Sequence, residues 1–224
     1  MTRGGTGADD MAEPAITTTR DQRRAEILDV AAALFARRGF GKTTLSDVAR
    51  AVGLGATAMY YYYTSKEAML FACIERTMVR LNASLASSQS GQSDTTPAQR
   101  LRALVAAQVH VELAEAETMP MINNYLYGAL RESAHFEAEQ IERLRSLQRE
   151  TVEFYRRILR EGIESGDFTS LHEAPTAFAI LGMVQYVSAW YRPGARLSVS
   201  QIAEMHGDLV LRMVMSPPVP HSAH

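Results

Sequence analysis

The stretch GATAMYYYYTSKEA, Gly55 to Ala68, lines up four tyrosines and follows them with Lys66. Phenol hydroxyls and an ammonium are hydrogen-bond donors suited to phosphate oxygens. On a helix each residue is turned about 100° from the last, so four tyrosines in a row encircle it. By i,i+4 spacing Tyr60 shares a face with Ala56, and Tyr61 shares one with Thr57. Met59 and Tyr63 share the inward face, with Tyr62 at the border. One apolar core can use only one of these faces, which leaves Tyr60 and Tyr61 for a partner. The helix start is slim: Gly55, Ala56, Thr57 and Ala58 are all small enough to enter a major groove about 12 Å wide. Thr43 and Thr44, upstream, add donors at the start of a preceding helix. The expected DNA contacts are therefore Thr43, Thr44, Ala56, Thr57, Ala58, Tyr60, Tyr61, Tyr62 and Lys66.

Other chemistries find little support. No histidine takes part in an H-x-x-x-H pair, so no metal site is expected. The chain has no G-x-S-x-G, Walker or dinucleotide fingerprint. Cys73 sits beside Ile74 on an apolar helix face and reads as packed. Glu139, Glu142 and Glu153 fall along an amphipathic helix and read as solvated. A helical enzyme is the competing class, but no catalytic residue and no cofactor emerge from these patterns.

The charge distribution points the same way. Among 224 residues the net charge is −2. Between Thr19 and Lys66, however, eight basic residues meet four acidic ones, while residues 67–224 carry 14 basic and 18 acidic. A small basic module is joined to a larger acidic one, and only the first suits an anionic partner. Hydrophobic content of 46% supplies a core. The single cysteine allows no internal disulfide and suits a cytoplasmic location. The start shows no apolar signal region, and stretches such as AFAILGMVQYVSAWY are too short and too polar to span a membrane.

These groups must be positioned by helices, because sustained period-2 alternation is missing. Residues 1–18 read as a disordered tail. A first helix opens at Thr19, with Gln22 completing a capping-box spacing, and ends at Gly39. Thr44 caps a short second helix with Asp47 at its third position, and Gly53 stops it. A third helix covers about 56–63. Thr64 with Glu67 repeats the capping-box spacing and opens a long fourth helix to about Ala86. After the SSQSGQSDTTP loop come helices over about 98–117, 121–131, 136–162, 171–191 and 198–214, with a tail at 216–224. The expected architecture is all-α with about nine helices: a helix-turn-helix domain over 19–66 and a second helical domain over 67–215.

The segment RAEILDVAAALFARRGFGKTTLSDVARAVGLGATAMYYYYTSKEAM resembles the N-terminal DNA-binding region of the tetracycline-repressor (TetR) family. Leu34-Phe35, Gly39-Phe40, Thr43-Thr44, Val48-Ala49, Gly53, the tyrosine run and Ser65-Lys66-Glu67-Ala68 carry the likeness. The resemblance implies an all-helical homodimer that binds double-stranded operator DNA, most members being repressors released by a small ligand and some being activators. The sequence departs from the family pattern at the start of the third helix, where Gly55, Ala56, Thr57 and Ala58 stand, and at Tyr63, where the family more often has Phe. Ala56 and Ala58 can touch a thymine methyl but cannot hydrogen-bond a base, which shifts readout toward Thr57, Tyr60 and Thr44.

The second domain should enclose an effector among its helices. Its expected lining is Met121, Tyr125, Phe154, Met183, Tyr186, Trp190 and Arg192, though residues of these types also serve as plain core. SAWYRPGARLS, 188–198, resembles a turn in TetR members that respond to acyl-CoA thioesters. That makes an acyl-CoA the first expectation for the effector, with a lipophilic drug or aromatic compound second. The last two helices should pair across a two-fold axis through Leu181, Val184, Met205, Leu209 and Met213.

Overall fold

The structure is a computed structural model that describes residues 13–91, 95–128, 134–169, 172–194 and 196–215, with side chains from residue 19 onward. Apart from one isolated bridge between Phe168 and Met215, its regular structure is helical among the described residues. The expected tail at 216–224 lies outside them. The chain divides into two compact units, the first ending at Cys73 and the second beginning at Ile74. That division falls inside a helix, not at the expected position between residues 66 and 67.

The first unit is built on α1 (Glu13–Arg38), α2 (Leu45–Ala51), α3 (Ala56–Tyr62) and the start of α4 (Lys66–Ser88). Two expectations need correction. α1 begins at Glu13, so residues 13–18 belong to a helix and not to a tail, and Thr19 lies within it. The cap of α4 is Ser65, whose Oγ accepts from the Ala68 N–H at 2.9 Å, and not Thr64. Ile27, Ala31 and Phe35 of α1 bury one face. Val48 and Ala49 of α2, Met59 of α3 and Met69 and Leu70 of α4 are buried in the same unit. Full burial of each large apolar side chain is worth roughly 1.5–3 kcal/mol. Cys73 is buried here, its thiol 3.6 Å from the Leu28 carbonyl oxygen.

The turn between α2 and α3 follows from its residues. Gly53 has φ +69°, a left-handed conformation that a side chain resists. It lets the Leu54 N–H reach back to the Ala49 carbonyl at 2.8 Å while its own N–H bonds Arg50. At the other end of α2, Thr44 and Asp47 form the capping box that their spacing predicts.

The second unit contains the remainder of α4 and, among the described residues, six further segments. They are α5 (Pro97–Ala114), α6 (Met119–Tyr127), α7 (Ala138–Glu164), α8 (Glu173–Gln185), the single turn α9 (Val187–Trp190) and α10 (Val199–Val214). α6 starts earlier than expected, with Pro120 in its first turn, and the expected span beyond residue 128 leaves the described residues. The helix expected over 171–191 is interrupted at Tyr186, where the ladder tightens so that the Ala189 N–H bonds the Tyr186 carbonyl three residues back. α5 is central and packs against α7, α8, α9 and α10. α7 lays Leu144, Leu147, Tyr155, Ile158 and Leu159 inward, at helical spacing.

Candidate nucleic-acid interface and effector region

Most of α3 is exposed. Ala56, Thr57 and Ala58 are exposed, as are Tyr60 and Tyr61 at 59% and 64%. Met59 is fully buried, Tyr63 is 4% exposed, and Tyr62 lies between these extremes. Gly55 caps α3 without a side-chain acceptor. The Tyr61 and Tyr62 rings meet edge to face at 5.3 Å.

Three arginines of α1 hold this helix. Arg23 donates to the Val52 carbonyl at 2.6 Å, at the turn that leads into α3. Arg24 donates to the Tyr62 carbonyl at 3.4 Å and lies 4.9 Å over the Tyr63 ring. Arg20 lies 4.7 Å over the exposed Tyr61 ring. Two of the three, Arg20 and Arg23, line a groove between α1 and α3 with Thr19 and Gln22. Sequence reasoning counted them only as charge. Their i,i+3 and i,i+4 spacing was a signal that they share one face of α1.

The remaining donors are placed differently from expectation. Thr43 is fully buried, and its hydroxyl donates to the Gly39 carbonyl at 3.0 Å. Its side chain thus braces the α1–α2 turn. Thr44 is exposed, but its hydroxyl donates to Asp47 Oδ2 at 2.6 Å. That hydrogen bond is the leading reason the Asp47 carboxyl titrates below its ordinary value. Lys66 Nζ donates to the Phe40 carbonyl at 3.1 Å and sits 4.3 Å over the Phe40 ring. Its ammonium therefore ties α4 to the α1–α2 turn.

In the second unit the expected effector lining is contributed by several elements. Met121 and Tyr125 are buried on α6, with the Tyr125 ring 4.6 Å from that of Phe136. Phe154 and Met183 pack partly buried against the core. Tyr186, at the interruption after α8, is exposed, and Trp190 is 42% exposed and stacks on the His206 ring. Arg192 is exposed and donates to the Ala189 and Tyr191 carbonyls, closing the end of α9. A surface groove between α7 and α8 brings Arg145, Arg149 and Arg156 beside Val152 and Phe178.

The expected dimer residues divide. Leu181 and Val184 are buried within the single chain, against the same core as α5. Met205, Leu209 and Met213 of α10 are exposed at i, i+4 and i+8, an apolar stripe. Phe178 and Tyr186 add exposed aromatic surface at and just beyond α8. Among the described residues no helix is long and apolar enough to cross a membrane.

A short helix pair with a left-handed glycine turn, presenting an exposed second helix, defines a helix-turn-helix DNA-binding protein. Residues 27–73 match the family model described as bacterial regulatory proteins, tetR family, and residues 94–214 match the tetracyclin repressor-like C-terminal domain. The chain belongs to the TetR family of transcriptional regulators. It is 29% identical over 203 residues to the HTH-type transcriptional repressor KstR2 of Rhodococcus jostii, covering 90% of this chain and 95% of that one. Among solved structures it resembles the ketosteroid transcriptional regulator KstR2 of Mycobacterium tuberculosis at 25% identity and a TM-score of 0.74, covering 87% and 96% of the two chains. A tetR-family regulatory protein from Rhodococcus RHA1 matches at 25% identity and a TM-score of 0.77, covering 87% and 97%.

Proposed function

We propose that this regulator is a repressor that binds a pseudo-palindromic operator as a homodimer and leaves it when a small hydrophobic effector occupies the second unit. The observation that carries the reading is the exposed face of α3, with Ala56, Thr57, Ala58, Tyr60 and Tyr61 outward on a helix held from behind by Arg23 and Arg24. Thr57 and the two tyrosines contact bases and phosphates, Tyr62 flanks them, and the alanines meet thymine methyls. Thr44 and Lys66 contribute at the rim through their exposed atoms.

The Met205, Leu209 and Met213 stripe pairs with its copy across a two-fold axis, which sets two α3 helices about one DNA turn apart. The effector is an acyl-CoA thioester or a compound of comparable apolar bulk. The WYRPG string supports this, as does similarity to a regulator described as acting in ketosteroid control. Its action requires only a differential affinity: a coupling of about 1–3 kcal/mol weakens operator binding roughly 5–150-fold. As a DNA-binding regulator the protein works in the cytoplasm.

The test is fluorescence anisotropy of a labelled duplex from upstream of the protein's own gene, with dodecanoyl-CoA titrated in. Release by the thioester, but not by CoA or dodecanoate, is the expected result. Tight binding that ignores the thioester would remove acyl-CoA as effector. No specific binding to that duplex would remove self-regulation.

A further inference from the structure

α5 is enclosed on several sides by other helices, so most of its middle is buried. Leu104, Val105, Val109 and Leu113 suit that position. Gln108 and Glu112 do not, yet they are 0% and 1% exposed. They stand one helical turn apart and so share a face of α5. Tyr155 of α7, also fully buried, donates its hydroxyl to Gln108 Oε1 at 2.7 Å. Asn123 of α6 lies beside the Glu112 carboxyl. Among the described residues Gln108 Nε2 and Glu112 Oε2 make no hydrogen bond of ordinary length, although the Gln108 amide lies near enough to the Glu112 carboxyl to favour its charged form. A buried polar atom left unmade is costly, and leucine at either position would avoid the cost. Polar groups kept at such a place are suited to receive something polar.

The donors indicate what that is. Tyr155 occupies the amide oxygen of Gln108 and leaves its two N–H groups for acceptors, the neighbouring Glu112 carboxyl being one and able to take only one of them. Burial pushes the Glu112 carboxyl up to about 8, so at neutral pH it is chiefly protonated and donates as well. Two neutral donors on one face suit an acceptor oxygen with two lone pairs. A carboxylate would find no positive charge there, and an ammonium would bring donors to donors. The surrounding side chains belong to the unit's main apolar core, so the rest of the ligand is apolar.

We propose that Gln108 and Glu112, positioned by Tyr155, form the polar end of the effector site and receive the carbonyl oxygen of an otherwise apolar ligand. This rests on the reading of the second unit as the effector-binding part. A ketone and an acyl thioester share this chemistry, and separate probes distinguish them.

The experiment measures Tm of the full chain with decan-2-one, decanoyl-CoA, decanoate or decylammonium. The variants are Q108L/E112L and E112Q. The ketone, the thioester or both should raise the Tm of the wild type and of E112Q, which keeps a neutral donor. Neither should raise the Tm of Q108L/E112L, whose own Tm should equal or exceed that of the wild type without probe. Four results would each overturn the proposal: no shift with either carbonyl probe, a shift only with decanoate or decylammonium, an equal shift in Q108L/E112L, or a lower Tm for that variant without probe. The DNA-release titration is run on the same proteins. Release of wild type and Q108L/E112L at equal thioester concentration keeps the effector reading and removes this cluster. A carbonyl-dependent Tm shift without DNA release keeps the cluster and removes its coupling to DNA.

Discussion

Arg24 bonds the Tyr62 carbonyl and covers the Tyr63 ring, so its work is to orient α3 and not to meet phosphate. Arg24→Met should therefore weaken operator binding while leaving the slope of log affinity against log salt nearly unchanged. A residue that neutralises one phosphate would instead reduce that slope by about 1. Thr57→Val should mainly relax base preference, at a cost of roughly 1–3 kcal/mol at the contacted position. Competition binding against single-base operator variants reads this directly. Glu112 makes a prediction about pH. Its carboxyl rises from 4.5 to about 8 on folding, chiefly through burial, with Gln108 and Asn123 opposing and Tyr155 of α7 facing it. Between those values the unfolded chain is ionised while the folded one holds the proton. The group's contribution to stability is thus complete below about 4.5 and declines as pH rises toward 8, by roughly 1.4 kcal/mol per pH unit. Glu112→Gln should gain stability relative to the wild type across that window, which denaturant titrations at pH 5 and pH 8 would show. The inward and outward faces of α3 were legible because a 3.6-residue period sorts Met59 and Tyr63 from Tyr60 and Tyr61. Gln108 and Glu112 were not, because polar residues on a helix read as solvated until its neighbours are known.

At the scale of elements, close approach decides more than composition. Gly162 of α7 lies against the Phe168 ring, and a methyl group there would occupy the ring's own space. Phe168 is itself buried. Gly162→Ala should cost roughly 1–3 kcal/mol by overpacking, despite alanine's better helix propensity, and a lower urea midpoint would register it. The turn before α3 is governed by Gly53 in a similar way, through φ instead of space. Helix existence and most boundaries could be read from caps and periodicity, as Thr44 with Asp47 illustrates. The start of α1 could not, because the T-x-x-Q spacing at Thr19 is as good a cap as any sequence offers, and here it falls within a longer helix. Likewise α8 is apolar on nearly every side, so nothing in its sequence says that Leu181 and Val184 face the chain's own core.

For the whole molecule, the exposed apolar ladder on α10 and the salt dependence of DNA binding belong together. Leu209→Lys would place a charge in the middle of that stripe and should yield monomers by sedimentation velocity. A dimer neutralising six to ten phosphates loses roughly 10³–10⁵ in affinity between 50 and 200 mM salt, and the monomer should show about half the slope. The basic first unit and acidic second unit could be told apart from the residue order alone. Which apolar stripe awaits a partner became visible only once the core had claimed the others.

The chain's sole tryptophan, Trp190, stands half in solvent with its indole parallel to the His206 imidazole, the ring centres 6.2 Å apart. Its emission consequently comes from one known place, the junction of α9 and α10. The colour and quenchability of that light report whether the junction is open to water, covered by another chain or pulled apart. The protein thus carries its own optical gauge of that junction, readable without attaching a dye.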